Sequence, residues 1–380
     1  MSALSGRPRV ALLTQVNFWR AGAGHRARIL ALVRALATDI ELTVVWPLDL
    51  PVEEEAALQA AAPGVALHRL SLAPQGAQDD ALAALAAFFA ARPQHACIFE
   101  YLDLHWLRAA VPAGVLSLVD THDVVSERDA ALVAAGVKLN RSVLSARQER
   151  QRLATFHGVL AISLADAEVF QQWLGPSRVL LVPHAHIAPF DAPQMLPLRT
   201  PLRRLLFVGS EYAPNVQGLA WFLETVWPTV AAQGASLDVV GGVGPALGLG
   251  QGLGLPTSDA VRVHGFVADL QAAYAHADIC INPVQIGSGL KVKTVEALAH
   301  GRPLVTTSHG ARGLQAHAGR AFLVADTPAE FGAALCRLMK QPEEATRLSQ
   351  AALALTAQAL SADACYGPLR QLLLQAAAAR

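Results

Sequence analysis

Short apolar runs rich in valine, isoleucine and leucine alternate with longer stretches of helical periodicity along the whole chain. In the first half the apolar runs predict seven strands, over 9–13, 41–46, 65–70, 96–101, 115–120, 158–163 and 178–183. The stretches between them predict helices, notably over 25–37 and in the polar region around 138–156. Strands that alternate with helices are typical of parallel sheets covered by helices, so the pattern predicts the α/β class.

The periodicity stops in a proline-rich stretch between His184 and Leu202, which predicts an extended connection between two domains. A second strand and helix series then begins at 203–210 and continues through 236–242, 261–266, 278–283, 303–307 and 321–325. We therefore predict a first Rossmann-like domain, a linker, a second Rossmann-like domain and a final helix, over 1–190, 191–202, 203–360 and 361–380. The final helix either packs locally or reaches back to the first domain. The glycine-rich segment 241–256 predicts a flexible loop.

Composition narrows the class of protein. Hydrophobic residues make up 53% of the chain and charged residues 16%, but no window offers the roughly 20 uninterrupted apolar residues that span a bilayer. The amino terminus lacks the long apolar stretch of a signal peptide, so we expect a cytoplasmic protein with at most peripheral membrane contact. A net charge of zero without basic runs argues against a nucleic-acid partner. The four cysteines lack metal-ligand spacing and predict buried thiols.

The segment 278–307 carries the strongest chemical signal. It predicts a strand, a loop containing Gly287, Ser288 and Gly289, and then a helix. A loop at the carboxyl end of a parallel strand that leads into a helix amino terminus is a place where phosphate is held. The sequence therefore predicts an anion site at this loop.

Two of the four lysines of the chain, Lys291 and Lys293, lie where this helix starts. Positive side chains at a helix amino terminus are unfavourable by roughly 0.3–1 kcal/mol each, so a bound pyrophosphate explains their presence. Glu296 lies one turn further on, where its carboxylate can accept hydrogen bonds from a ribose diol. The alternative is a surface ion pair between Lys293 and Glu296.

The second half of the chain resembles the family 4 glycosyltransferases, which have the GT-B fold. The resemblance lies in the segments FVGSEYAPNVQGLAWFLETVWP, VHGFVADLQAAYAHADICINP and GLKVKTVEALAHGRPLVTTSHGARGL. It implies two Rossmann-like domains that face each other across a cleft. It also implies a retaining sugar transfer from a nucleotide-sugar donor to a saccharide or lipid-linked acceptor, with no metal and no other cofactor. The common setting of the family is synthesis of bacterial cell-envelope polysaccharide or glycolipid.

The resemblance also implies roles for single residues of the second domain. Glu296 matches the family glutamate that binds the ribose, whereas Ser288 stands where many members have a glutamate that contacts the donor sugar. Many members also clamp the phosphates with arginine and lysine after the first strand of this domain, but here the sequence is GSEYAPNVQG. The implied donor-binding residues are Gly209, Ser210, Asn215, Gly287, Ser288, Gly289, Leu290, Lys291, Lys293 and Glu296. For Asn215, a helix N-cap is an alternative of at least equal weight.

Two segments of the first domain complete the predicted site. A glycine-bearing turn lies between the first strand and the first helix and is aimed at a helix amino terminus. The resemblance implies that its residues Gly22, Gly24, His25 and Arg26 form an acceptor or phosphate loop. Asp120, His122 and Asp123 follow the strand at 115–120, at the edge where α/β sheets build sites. His122 matches the family histidine that lies against the donor sugar, so the predicted catalytic residues are His122, Asp123 and Lys291; a helix-capping role is the alternative for His122.

Other readings stay open at this level. The same fold is compatible with a sugar-nucleotide epimerase, a phosphorylase or a catalytically inactive binding subunit. His184 and His186 follow the last strand of the first domain and could face the cleft, but they are expected to be exposed and outside the site. Trp173, Trp221 and Trp227 are expected to pack in cores.

Overall fold

The computed structural model describes residues 6–47, 51–70, 78–186, 198–249, 260–267 and 270–379. The first half forms a seven-stranded sheet whose strands are β1 (Arg9–Leu13), β2 (Glu41–Trp46), β3 (Ala66–Arg69), β4 (Ala96–Glu100), β5 (Leu116–Asp120), β6 (Gly158–Ala161) and β7 (Val179–Leu181). Their order is β3-β2-β1-β4-β5-β6-β7, and all neighbours pair in parallel. The α/β class is as predicted.

Helices cover both faces of this sheet. They are α1 (Gly24–Leu36), α2 (Val52–Ala61), α3 (Gln78–Ala91), α4 (Val125–Ala134), α5 (Ala146–Leu153) and α6 (Leu164–Leu174), with 3-10 helices at Leu102–Ala110 and Pro176–Arg178.

The second half forms a six-stranded parallel sheet with the strands β8 (Arg204–Val208), β9 (Ser236–Val240), β10 (Val261–Gly265), β11 (Ile279–Asn282), β12 (Leu304–Thr306) and β13 (Leu323–Val324). Their order is β10-β9-β8-β11-β12-β13. The helices are α7 (Ala213–Trp221), α8 (Trp227–Ala231), α9 (Val243–Ala246), α10 (Leu270–His276), α11 (Val292–Ala299), α12 (Pro328–Lys340), α13 (Pro342–Ala359) and α14 (Ala362–Ala378). A π-helical turn at Phe222–Val226 joins α7 to α8, and a 3-10 turn lies at Gln315–His317. Within the described ranges, no helix has both the length and the apolar content to cross a bilayer.

Each sheet is buried on both faces, as parallel sheets are. In β1, Val10 and Leu12 pack in one apolar core, whereas Ala11 and Leu13 pack in the core on the opposite face. This division follows from the two-residue period of a strand, whose successive side chains point to opposite faces. The continuous apolar runs in the sequence therefore correspond to central strands.

The strand orders place one crevice in each sheet. The winding reverses between β1 and β4 in the first sheet and between β8 and β11 in the second. Loops on either side of such a switch point diverge and leave room for a ligand at the carboxyl ends of the strands. The turn before α1, the residues after β4 and the loops after β8 and β11 lie at these crevices.

Two predicted segments differ in the structure. The helix expected around 138–156 is restricted to α5, because Ser145 caps it in a capping box with Gln148 and thereby starts a new helix. The segment 241–256, expected to be a loop, contains the short helix α9, while 250–259 lie outside the described residues. The linker was predicted at 191–202, and its residues up to 197 also lie outside them.

The final helix α14 reaches back to the first domain. Cys365, Tyr366, Leu369 and Leu373 are fully buried in the first-domain core that contains β1 and α1. The Tyr366 hydroxyl also accepts a hydrogen bond from the Ala185 backbone at 3.1 Å. The chain therefore crosses between the domains twice. Of the two alternatives for the final helix, packing on the first domain is confirmed and local packing is wrong.

We predict that Leu369→Ala destabilises the protein by about 2–5 kcal/mol, because it removes a fully buried side chain and leaves a cavity. Leu374→Ala on the same helix is the matched control, since Leu374 is 41% exposed, and its cost is expected to be about 0.5 kcal/mol or less. Equilibrium urea unfolding measures both. Equal effects of the two substitutions would show that α14 does not depend on this core.

Candidate active site

The loop after β11 lies directly against the first domain. Gly287 and Gly289 have φ angles of 103° and 69°, in the left-handed region that favours glycine. A Cβ atom at Gly289 would lie 2.7 Å from the carbonyl oxygen of His122 and 3.1 Å from the Cβ of Asp123. The backbone therefore approaches the first domain more closely than any side chain would permit. The predicted donor loop and the predicted catalytic segment meet at this point.

Lys291 is the N-cap residue of α11 and holds the loop in shape. Its Nζ donates hydrogen bonds to the carbonyl oxygens of Ser288 at 2.7 Å and Gly289 at 3.0 Å. An ammonium group has three N–H donors, so one is left for an anion. Burial lowers the pKa of Lys291 to about 8, against a smaller opposing effect of Asp123. A bound anion would restore the charge.

Lys293 connects the loops that follow β8 and β11. Its Nζ donates to Oδ1 of Asn215 and lies 4.7 Å from the ring centroid of Phe207. Asn215 in turn donates from Nδ2 to the carbonyl oxygen of Ser210 at 3.0 Å. The N-cap of α7 is Tyr212, so the capping alternative for Asn215 is wrong, because this residue lies inside the first turn. Burial lowers the pKa of Lys293 to about 7.

Glu296 lies beside these lysines but does not pair with Lys293. Its carboxylate accepts a hydrogen bond from the Tyr274 hydroxyl at 3.1 Å. Burial raises the pKa of Glu296 to about 7. The surface ion pair is therefore wrong as an alternative, since Lys293 and Glu296 are both largely buried and each has a different partner.

Other members of the predicted donor set contribute through the backbone or through packing. A Cβ at Gly209 would lie 3.3 Å from the Cβ of Asn215, so this glycine lets the loop after β8 pack closely against the first turn of α7. The side-chain oxygen of Ser288 is buried without a hydrogen-bond partner in the part of the chain that the structure describes. Leu290 packs in an apolar cluster that also contains Ile162 of the first domain. Its side chain therefore helps to hold the domains together.

Two helix amino termini face each other where the domains meet. Gly24 is the first residue of α1, and a Cβ atom there would lie 3.2 Å from the Cβ of Val292, the first residue of α11. A Cβ at Gly22 would lie 3.3 Å from the ring of Phe266. Neither helix has a side-chain cap. Each first turn thus has N–H groups without intrahelical partners, and both carry partial positive charge.

His25 and Arg26 occupy the first turn of α1. The His25 ring centroid lies 6.1 Å from that of Tyr101, and burial lowers the pKa of His25 to about 4. Arg26 donates from Nη1 to the carbonyl oxygen of Ala21 at 3.2 Å, within its own loop. The structure thus brings the whole predicted acceptor or phosphate loop to the same junction as the lysines.

His122 lies in a buried polar cluster at the carboxyl ends of β4 and β5. Its Nε2 is 2.7 Å from Oε2 of Glu100, and its ring stacks on Tyr101 with centroids 4.0 Å apart. Both His122 and Tyr101 have positive φ angles, of 62° and 68°. Non-glycine residues in this region cost free energy and occur preferentially at functional sites. This strain favours a site role over helix capping, and α4 shows no side-chain cap.

The protonation states in this cluster follow from burial. Desolvation lowers the pKa of His122 to about 4 and raises the pKa of Glu100 well above its ordinary value. Both groups therefore favour their neutral forms, and one hydrogen bond joins Nε2 of His122 to the Glu100 carboxyl. A neutral imidazole has one N–H donor and one acceptor nitrogen.

A buried ion pair between Arg28 and Asp120 lies next to this cluster. Arg28 donates to both carboxylate oxygens of Asp120, at 2.9 and 2.8 Å, and to the carbonyl oxygen of Val182 at 2.9 Å. Ligand atoms of Glu100, Asp120 and His122 lie within 4.8 Å of one another, a spacing compatible with a metal ion. However, both oxygens of Asp120 already accept from Arg28, and a guanidinium opposes a second cation at the same place. The donor set therefore fits a metal poorly.

Asp123 and Arg312 are two further charged residues near the junction of the domains, and both form ion pairs. Asp123 pairs with Arg128 at 3.0 Å inside the first domain. Arg312 of the second domain pairs with Glu127 at 2.9 Å and with Asp166 at 3.3 Å, both in the first domain. The two ion pairs of Arg312 connect the domains beside the cluster around His122.

Sequence reasoning missed several of these contacts. Glu100 and Tyr101 end an apolar run and carry the usual signal of a polar residue at the carboxyl end of a strand. Nothing in the pattern distinguishes Tyr274 or Arg312. The expectation that His184 and His186 are exposed is wrong, because His184 is 3% exposed and the ring of His186 lies 5.0 Å from that of His300.

We predict that the His122 imidazole stays neutral from pH 8 down to about pH 4.5, because burial disfavours the imidazolium. Long-range ¹H–¹⁵N NMR of protein labelled at histidine, with the resonance assigned by His122→Gln, measures its titration. A midpoint for His122 near the ordinary value of 6.5 would contradict the buried pair with Glu100.

Comparison with known proteins identifies the domain that carries the lysines. Residues 203–341 match the family model described as glycosyl transferases group 1. An uncharacterized 44.6 kDa protein from the cps region of Klebsiella pneumoniae is 31% identical over 134 residues. That alignment covers 33% of this chain and spans about a third, 34%, of the relative's length.

Solved structures show the same fold over nearly the whole chain. The sucrose-phosphate synthase of Thermosynechococcus elongatus aligns with a TM-score of 0.72 at 17% sequence identity. The alignment covers 98% of this chain and 100% of the synthase chain. Anabaena HepE, solved with UDP and glucose, aligns with a TM-score of 0.69 at 13% identity over 96% of this chain and 99% of its own. Residues 203–341 are therefore a group 1 glycosyltransferase domain, in a chain that has the GT-B fold of glycosyltransferases.

Proposed function

We propose that this protein transfers a sugar from a nucleoside-diphosphate sugar to a hydroxyl group of a saccharide or lipid-linked acceptor. The observation that carries the proposal is the pair of uncapped helix amino termini, α1 and α11, that face each other with Lys291 and Lys293 beside them. Free N–H groups, helix dipoles and two ammonium groups around one place are complementary to a diphosphate.

The proposed donor site lies on the second domain. The diphosphate binds at the loop of Gly287, Ser288 and Gly289, where the free N–H of Lys291 and the ammonium of Lys293 contact its oxygens. Glu296, one turn along α11, then accepts hydrogen bonds from the ribose hydroxyls while Tyr274 holds its carboxylate in place. In this arrangement the buried charges of Lys291, Lys293 and Glu296 each gain a ligand partner, which offsets the free-energy cost of burying them.

The proposed sugar site lies beside the contact between this loop and His122. The close approach of Gly289 to His122 leaves the donor sugar next to the neutral imidazole, which donates a hydrogen bond without adding charge. The positive charge of the lysines and helix termini stabilises the departing diphosphate as its bond to the sugar breaks. Such preorganised electrostatic stabilisation is usually the largest single contribution of an enzyme site.

We further propose that the transfer needs no metal ion and retains the anomeric configuration. The first follows from the charges present, since lysines and helix termini supply the positive charge that a metal would otherwise provide at the diphosphate. The second rests on the resemblance of the segment 278–307 to the family 4 donor site.

The relatives support the class of donor and the setting. HepE has been solved with UDP-glucose in a GT-B fold that this chain shares. The Klebsiella relative comes from a cps region. We propose a uridine or related nucleoside-diphosphate sugar as donor and cell-envelope polysaccharide or glycolipid as the product, made on the cytoplasmic side of the membrane.

We predict that one of UDP, GDP, ADP and TDP raises the melting temperature selectively, because a ligand that binds only the folded state stabilises it. Glu296→Ala and the double change Lys291→Met with Lys293→Met are expected to weaken that nucleotide about tenfold or more, since each removes a charge-assisted contact. Lys340→Met is the matched control, because Lys340 is exposed on α12. Thermal-shift titration at fixed ionic strength measures all four proteins.

The outcomes separate the rival readings. Absence of a shift with every nucleotide would reject the donor site and favour a binding subunit of another kind. Equal weakening by Lys340→Met would show a general charge effect. Conversion of a free nucleotide sugar without an acceptor would favour an epimerase, and release of sugar phosphate would favour a phosphorylase.

We predict that diphosphate binding at pH 8 takes up protons. Burial lowers the pKa of Lys293 to about 7 and that of Lys291 to about 8, so Lys293 is mostly neutral at this pH in the free protein. A bound anion raises both pKa values, and affinity therefore falls as pH rises above about 7. Isothermal calorimetry in two buffers of different ionisation enthalpy measures the uptake, which Lys293→Met is expected to reduce. Identical apparent enthalpies in the two buffers would contradict the lowered pKa values.

A further inference from the structure

We infer that an arginine-lined cavity beside His122 is the acceptor subsite, and that it takes an acceptor sugar bearing a carboxylate or a phosphate. The inference rests on the proposed function and names its second substrate by chemical class. The cavity lies in the first domain, among α4, α5, the 3-10 helix at Leu102–Ala110 and the residues between α4 and α5.

The size of the cavity matches a single sugar residue. Its volume is about 260 Å³. Sites for drug-sized ligands usually have about 300–1,000 Å³, so this cavity is large enough for one ring with a substituent but not for an extended chain. The rest of a longer acceptor would lie outside it.

The cavity shares two walls with the cluster around His122. Tyr101 lines the cavity and stacks on the His122 ring at 4.0 Å. Arg128 also lines it and pairs with Asp123, the residue after His122. The cavity therefore adjoins the cluster around His122 through Tyr101 and through the Arg128–Asp123 pair.

Arginine predominates among the charged side chains that line the cavity. Three arginines reach the cavity from separate segments, Arg128 from α4, Arg141 from the connection and Arg152 from α5. Arg128 and Arg141 are neutralised by Asp123 and Asp129. Asp103 contributes one exposed carboxylate at the rim.

Arg152 is the arginine of this lining that has no acidic partner among the described residues. Its side chain is half-buried, and among the described residues its guanidinium forms neither a hydrogen bond nor an ion pair. Its electrostatic effect reaches His105, whose pKa is lowered mainly by burial and further by this charge. A planar guanidinium with unused donors recognises carboxylate and phosphate through paired hydrogen bonds. Gln148 adds an amide to the same lining.

Ligand-observed NMR titrations of the UDP-loaded protein test the inference. The probes are methyl glucuronide for a carboxylate, glucose 6-phosphate for a phosphate and methyl glucoside as the neutral analogue. We expect at least one anionic probe to bind about tenfold more tightly than the neutral one, and the stronger of the two identifies the anionic group. Arg152→Met is expected to abolish that preference.

Arg150→Met is the matched control, because Arg150 is exposed on the same helix and does not line the cavity. Equal binding of neutral and anionic probes, or equal weakening by Arg150→Met and Arg152→Met, would overturn the inference. Thermal-shift titration with UDP on the same samples keeps the two claims apart. Intact UDP binding without anion preference rejects the acceptor subsite alone, whereas absence of stabilisation of the unaltered protein by each of UDP, GDP, ADP and TDP rejects the proposed function.

Discussion

The structure depends on the meeting of two helix amino termini, α1 of the first domain and α11 of the second, with their first residues Gly24 and Val292 in close contact. Two such termini repel each other through their partial positive charges, and Lys291 and Lys293 add to that repulsion. The contact is nevertheless tight. Glycine at 24 and 289 permits the approach, and apolar packing of Leu290 with Ile162 holds it. The charge imbalance that remains favours an anion between the domains.

The first domain contributes paired carboxylates and arginines beside this contact. Arg28 pairs with Asp120, and Arg312 crosses the junction to Asp166. Such buried pairs are costly to break, because a lone charge is then left without solvent. The strained residues Tyr101 and His122 lie next to them, with His122 Nε2 3.9 Å from the Asp120 carboxylate. Helix α14 packs nearby, since Tyr366 accepts a hydrogen bond from Ala185, next to His184. Residues from near the beginning of the chain and from its final helix thus both pack around the cluster of His122.

Local pattern was enough to predict the strands, because both faces of each sheet are buried and leave continuous apolar runs such as that of β1. It was also enough to find the loop at 287–289 and its lysines, since a glycine-bearing loop at the start of a helix is a local feature. Lys291 bonds within its own loop, but other partners at the junction come from elsewhere in the chain. Lys293 bonds to Asn215, 78 positions away, and Arg312 to Glu127, 185 positions away. Periodicity carries no information on such pairs. The burial of His184 likewise depends on packing that the linker sequence does not show.

The most direct measurement is a crystal structure of the protein with the nucleoside diphosphate that stabilises it most. The account predicts that the diphosphate lies beside the contacting amino termini of α1 and α11, within hydrogen-bond distance of Lys291 or Lys293, with the ribose hydroxyls on Glu296. It also predicts that His122 keeps its contact with Glu100. A diphosphate bound away from these helix termini, with both lysines retaining their present partners, would contradict the claim that the domain junction is the donor site.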